Sequence, residues 1–141
     1  MENIISEFIN IESSIDGLYR EAAVKLRITD TELRILYVIL IEGNGCNQSS
    51  LYRKTGITRS TVNSALHQMQ KKGFIELQKG DGRNVRVLLT DSGKELADKT
   101  AARIISIENG IFAQWTEAEK ERFLSFNRRY MTELAERIKE L

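Results

Sequence analysis

Between Asn47 and Gly93 the chain carries a fixed order of helix starts, helix stops and strand patterns that few folds accommodate. Asn47 is placed to cap a short helix through Leu51, Tyr52 and Thr55 that ends at Gly56. Ile57 crosses a tight turn, and Thr58 caps a second helix from Arg59 to about Lys72, closed by Gly73. Two short β-type runs follow, Phe74 to Lys79 and Val85 to Leu89, flanking Gly80-Asp81-Gly82-Arg83-Asn84. Helix, turn, helix and hairpin must therefore pack as one small module. Thr90, the next cap, starts another helix at once.

That module is charged differently from the rest. From Gly45 to Thr90 there are eight basic residues (Arg53, Lys54, Arg59, Lys71, Lys72, Lys79, Arg83, Arg86) and two acids (Glu76, Asp81), a net of 8 − 2 = +6. The whole chain has 21 Lys and Arg against 20 Asp and Glu, so the remainder nets 13 − 18 = −5. A near-neutral total conceals a basic module in an acidic frame. A helix-turn-helix with a basic hairpin and a local positive field points to duplex DNA.

On the second helix Val62, Ala65, Leu66 and Met69 form the inward stripe. The opposite face carries Arg59, Ser60, Asn63, Ser64 and His67, and no acid stands between Thr58 and Gly73. A merely solvated face mixes Glu with Lys, whereas short polar groups and an arginine suit base edges and phosphates. The expected DNA contacts are therefore these five residues in the major groove, with Thr58 and Thr61 beside the backbone. Arg83, at the hairpin tip, is placed for a minor groove, and an ion pair with Asp81 is expected to hold it extended. Lys79 and Arg86 are assigned to phosphates.

The flanking segments read as helices. Ile4, Phe8, Ile11, Ile15, Leu18 and Ala22 recur in steps of four and three, widened by Ile5 and Ile9, with Gly17 interrupting. Thr29-Asp30-Thr31-Glu32 reads as a capping box before Leu33, Leu36, Tyr37, Leu40 and Ile41, stopped by Gly43 and Gly45. From Thr90 one long helix is expected, stepping through Leu96, Thr100, Ile104, Ile107, Ile111 and Trp115, with Gly110 marking a kink or an early stop. Thr116-Glu117-Ala118-Glu119 forms a second box, starting a helix with Phe123, Phe126, Tyr130, Leu134, Ile138 and Leu141 on one face. The similarly striped first and last helices are expected to pack together, within one subunit or between two. The chain has no proline, in keeping with long helices. The sequence predicts a mainly α fold with a small β-hairpin wing: a winged helix-turn-helix flanked by long helices.

Other chemistries find little support. One cysteine, Cys46, allows no internal disulfide and suits a reducing cytoplasm. The start, MENIISEFINIESS, lacks the basic opening and apolar core of a signal peptide, and no apolar run reaches membrane-spanning length, so no membrane association is expected. With His67 the only histidine, a histidine metal cluster and a Cys-His-Asp triad both lack members. No metal, no cofactor and no enzyme activity are expected. A thiol redox sensor at Cys46 is the weaker alternative, because no basic residue flanks it to stabilise a thiolate, and a packing role is favoured. A protein-interaction module is the other alternative; its face would carry apolar anchors, and this one carries Arg, Asn and Ser.

The hairpin and its sequel, Asp81-x-Arg83-x-x-x-Val87-x-Leu89-Thr90-x-x-Gly93, resemble the wing signature of the MarR family of bacterial winged helix-turn-helix regulators. Gly56-Ile57-Thr58-x-x-Thr61-Val62 and Lys71-Lys72-Gly73-Phe74-Ile75 resemble the family's recognition helix running into its first wing strand, and the box at Thr29 with Leu33 and Leu36 resembles the start of its second helix. The resemblance spans roughly residues 29 to 93. Three features depart from it. Tyr52 and Thr55 stand where alanine and leucine are common, Leu77 stands where many members carry arginine, and the wing counts about two residues short. The resemblance implies a homodimer with N-terminal (1–28) and C-terminal (91–141) dimerisation helices around a DNA-binding region (29–90). It also implies a pseudo-palindromic operator and a regulator, most often a repressor, released by a small molecule or oxidant. An effector pocket is implied too; whether Trp115, Tyr19, Tyr37 and Tyr130 line it or are plain core is left open.

Overall fold

The structure, a computed structural model, describes residues 3–141. In chain order its elements are α1 (Ile4–Lys25), α2 (Asp30–Glu42), β1 (Cys46–Asn47), α3 (Gln48–Thr55), α4 (Arg59–Lys71), β2 (Ile75–Lys79), β3 (Val85–Leu89), α5 (Asp91–Lys99), α6 (Ala101–Ala113) and α7 (Glu117–Ile138). They form two compact units, one ending at Ile104 and the other Ile105–Leu141. The first unit thus takes in α1 and α5 together with the helix-turn-helix and hairpin.

α2 is the centre of the first unit. Leu33, Ile35, Leu36, Val38 and Ile39 are all buried, because α1, α3, α4 and α5 each pack against it. A helix covered from several sides is apolar over most of its circumference, which explains the unbroken run from Ile35 to Ile41. Val62, Leu66 and Met69 of α4 and Leu51 of α3 complete this core, as their spacing predicts. Gly56 ends α3 in the left-handed conformation (φ 68°, ψ 11°) and so turns the chain into α4.

Threonine caps account for most helix starts. The Thr29, Thr58, Thr90 and Thr116 hydroxyls accept from the backbone N–H groups of Glu32, Thr61, Gly93 and Glu119. Only the Thr116 box is closed reciprocally, with the Glu119 carboxylate accepting from Thr116 N at 2.9 Å. The box expected at Thr29 is half-formed: Glu32 is buried and its carboxylate lies 3.5 Å from Lys72 Nζ instead. Asn47 occupies the N-cap position of α3 without a side-chain cap bond.

Two expectations need correction. The long helix expected from Thr90 to Trp115 is divided at Thr100, whose backbone leaves the helical region (φ −125°, ψ −90°). The Thr100 hydroxyl donates to Leu96 O at 2.7 Å, a back-bond that competes with regular helix geometry. Gly110, by contrast, does not stop α6, which continues to Ala113. The sheet, meanwhile, has three strands, ordered β1-β3-β2 and antiparallel throughout. Cys46 pairs with Val87 and Asn47 with Arg86, so the loop before α3 is sewn onto the hairpin. Ile75, Val87 and Leu89 face the core while Glu76 and Arg86 face outward, the alternation of a half-buried sheet.

α1 docks through its C-terminal part. Ala23 is buried, and Tyr19, Ala22 and Leu26 pack against the core, whereas Ile4, Ile5, Ile9, Ile11, Ile15 and Leu18 are exposed. An ion-pair chain fastens the helix: Asp16 receives Arg34 Nη2 at 2.6 Å, and Arg34 Nε donates to Asp30 at 3.0 Å. The Arg34 hydrogen bond, aided by Arg20, holds the Asp16 carboxyl below its ordinary value of 3.8. A depressed folded-state pKa contributes stability that is present above the unfolded pKa and lost as pH falls through the folded one. Urea melts of wild type and Asp16→Asn should accordingly differ near pH 6 and draw together as the pH is taken below the ordinary carboxyl value of 3.8 and through the depressed folded one; a constant offset across that range would count against the ion pair.

In the second unit Phe112, Trp115 and Phe123 form an aromatic cluster in which Trp115 meets Phe112 and Phe123 edge to face at centroid separations of 5.0 and 5.4 Å, while the two phenylalanine rings are tilted at 5.8 Å. It joins the end of α6 to the start of α7. α7 has no buried residue, and Phe123, Phe126, Tyr130, Leu134 and Ile138 all remain exposed.

Candidate nucleic-acid interface

α4 presents Arg59, Ser60, Ser64 and His67 to solvent, opposite its buried Val62–Leu66–Met69 stripe. Thr58 caps the helix, its hydroxyl 2.9 Å from that of Thr61, and both are exposed at the helix start. The first-turn N–H groups that the Thr58 cap leaves open and the helix dipole at that end favour a phosphate. The fifth residue expected on this face, Asn63, is different. It is half-buried and bound to α3: its Oδ1 accepts from Tyr52 Oη at 2.5 Å and from Gln48 Nε2 at 2.7 Å. Gln48 Nε2 also donates to Tyr52 Oη at 2.7 Å, closing a triangle. The Arg59 guanidinium lies 4.7 Å over the Tyr52 ring, a cation–π contact that leaves its N–H edges free.

Gln48 and Tyr52 are therefore site residues that sequence reasoning missed. Their i, i+4 spacing puts both on one face of α3. Tyr52 had already stood out as a departure from the family pattern. What no spacing could give is that this face meets α4 at Asn63 and Arg59.

The wing is the five-residue reversal between Lys79 and Val85, closed by Gly80 N donating to Asn84 O at 2.8 Å. Asp81 and Arg83 are both exposed at its tip. Among the described residues the ion pair expected between them is not formed. Both side chains are exposed, and an exposed pair gains at most about 1 kcal/mol against the entropy of fixing two side chains. Lys79 ends β2 with its side chain exposed. Arg86 is partly committed: its Nε donates to Gly45 O at 3.0 Å, bracing the loop before β1. Lys54, the neighbouring basic residue on α3, is paired with Glu42.

Cys46 sits on β1, half-buried against the core. Burial, reinforced by the Glu42 charge, pushes its thiol above the ordinary value, the reverse of what a reactive thiolate needs. Tyr19 and Tyr37 are half-buried against the core of the first unit, and Trp115 belongs to the aromatic cluster of the second. Among the described residues no group of three or more potential metal ligands comes together, and no helix is long and apolar enough to cross a membrane.

This arrangement has counterparts. Residues 28–84 match the MarR family model. The HTH-type transcriptional regulator YwhA of Bacillus subtilis (strain 168) is 24% identical over 127 residues, covering 89% of this chain and 88% of its own. Among solved structures, a MepR–DNA complex from S. aureus superposes with a TM-score of 0.69 at 20% identity, covering 95% of this chain and 99% of that one. PcaV from Streptomyces coelicolor, in complex with its natural ligand, gives 0.65 at 18% identity, covering 94% and 96%. Both share the fold. The winged helix-turn-helix segment at the centre of this chain, its matched residues 28–84, belongs to the MarR family.

Proposed function

We propose that the chain is a homodimeric, sequence-specific DNA-binding transcriptional regulator, a cytoplasmic repressor released by a small-molecule effector, and not an enzyme. The observation that carries this reading is the outward, acid-free face of α4, with Arg59, Ser60, Ser64 and His67 exposed on the same unit as the Arg83 wing tip. Arg59 and Asn63 would meet base edges in the major groove, Thr58 and Thr61 the phosphates, and Arg83 the adjacent minor groove, flanked by Lys79 and Arg86. The face carries no large apolar anchor, which disfavours a protein-interaction module. Relatives support the same reading: MepR has been crystallised on DNA and PcaV with a ligand.

Dimerisation is inferred from the apolar side chains that a single chain leaves in water. α1 exposes Ile4, Ile5, Ile9, Ile11, Ile15 and Leu18, and α7 exposes Phe123, Phe126, Leu134 and Ile138. Patches of this size on a soluble protein mark an interface. Light scattering should give twice 16.1 kDa, with Leu134→Glu shifted toward the single-chain mass; a stable wild-type monomer would refute the assignment. Two-fold symmetry then sets operator half-sites about one turn, ~10 bp, apart.

A mobility shift on DNA upstream of the protein's own gene tests the central reading. A specific band is expected, weakened roughly tenfold or more in Arg59→Ala, the scale of one base-reading pair. Absence of any specific band, or binding untouched in both Arg59→Ala and Arg83→Ala, would overturn it.

A further inference from the structure

We propose that Gln48 and Tyr52 set the base preference of Asn63, converting it from an adenine reader into a donor-only group that selects guanine. The inference rests on the DNA-binding reading of α4 and goes beyond it by assigning specificity to two residues of the supporting helix.

A free asparagine recognises adenine bidentately, accepting from N6–H through Oδ1 while donating from Nδ2 to N7. That geometry needs an unoccupied Oδ1. In this chain Asn63 Oδ1 already accepts two hydrogen bonds from α3, from Tyr52 Oη at 2.5 Å and from Gln48 Nε2 at 2.7 Å, which leaves it a poor acceptor for a third donor. The 2.7 Å bond from Gln48 Nε2 to Tyr52 Oη fixes the phenol's own acceptor side, so its proton is committed to Asn63. What remains for the major groove is the Asn63 Nδ2 amino group, two donors and no acceptor. Guanine offers the adjacent acceptors O6 and N7 to such a group, and thymine offers O4. Adenine offers the single acceptor N7 beside an N6 amino group that would set donor against donor, and cytosine presents only its N4 amino group. Tyr52 acts on a second reader as well, because its ring lies under the Arg59 guanidinium. The hydroxyl and the ring are thus separable: Tyr52→Phe keeps the stacking surface and deletes the hydroxyl's bonds to Asn63 and Gln48.

The test is selection from a randomised operator library, with sequencing of bound DNA, for wild type, Asn63→Ala, Tyr52→Phe and the double variant Gln48→Ala/Tyr52→Phe. Thermal melts confirm that each variant folds. The half-site position relaxed by Asn63→Ala is the one Asn63 reads. Wild type should show guanine there, with thymine second. The double variant frees Oδ1, so the adenine-to-guanine ratio at that position should rise by about five- to tenfold, the scale of one hydrogen bond. Tyr52→Phe should move part of the way, and positions unaffected by Asn63→Ala should keep their preferences. Adenine at that position in wild type, or an unchanged profile in the double variant, would overturn the inference while leaving DNA binding intact. If wild type enriches no sequence at all, the DNA-binding reading and this inference fall together.

Discussion

Gly93→Ala is expected to lower the melting temperature by on the order of 10 °C, corresponding to about 3 kcal/mol, the upper range for overpacking a closed site. Gly93 is not in a left-handed conformation; what it supplies is the absence of a side chain. A Cβ there would collide with the Phe74 carbonyl oxygen, lie 2.9 Å from the carbonyl carbon and press Leu89 Cδ2 at 3.3 Å. The colliding group is backbone and already engaged: Phe74 O accepts from Thr90 N at 3.0 Å. Thr90 Oγ1 donates to Gly73 O at 2.5 Å and accepts from Gly93 N at 3.1 Å. These bonds clamp the first turn of α5 onto the entry of β2, and a methyl group can enter only by lifting α5 away. Gly110→Ala is the matching control, since a Cβ there meets nothing within 4 Å and alanine favours helix. A Gly93→Ala melt within about 2 °C of wild type, less than the shift from 1 kcal/mol, would contradict the clamp.

DNA affinity should fall by about a thousandfold or more between 50 and 200 mM salt, if each half of a dimer neutralises three or more phosphates. Arg53, Arg59, Lys79 and Arg83 are exposed and free of ion pairs among the described residues, and Arg86 keeps N–H groups beyond the one given to Gly45. Lys54 is discounted because Glu42 already neutralises it. Arg83→Ala should lower the slope of log affinity against log salt by about two for a dimer, nearly one per lost contact. Because Asp81 does not restrain Arg83, Asp81→Asn should leave that slope unchanged or steepen it slightly. A flat salt response would show that the basic module does not engage the phosphate backbone.

Local chemistry made the helix starts legible. Threonine at 29, 58, 90 and 116 announces each start by a side-chain bond within three residues, and the chain pattern records such bonds directly. The α4 stripe of Val62, Leu66 and Met69 was equally plain. Thr100 was misread because a threonine in an apolar stripe looks like a core position; it is buried at 3% exposure, yet its hydroxyl breaks the helix. β1 has only two residues, too few for any period to show. The Asn63 triangle was invisible because it joins residues 11 and 15 positions apart across a helix crossing. Charge pattern located the basic surface, but not which charges were already spoken for, as Lys54 and Arg86 show.

The short pairing of β1 with β3 has a metrical consequence. β3 is held on both sides, by Cys46 and Asn47 on one and by Ile75–Lys79 on the other. A slip of one residue would turn Val87 and Leu89 out of the core and break both ladders at once. The number of residues between the buried anchor Val87 and Arg83 is therefore constant, and so is the distance from α4 at which the wing tip hangs. The hairpin works as a ruler graduated in single residues, and lengthening or shortening its tip should shift the spacing between the two groove contacts without altering what α4 reads.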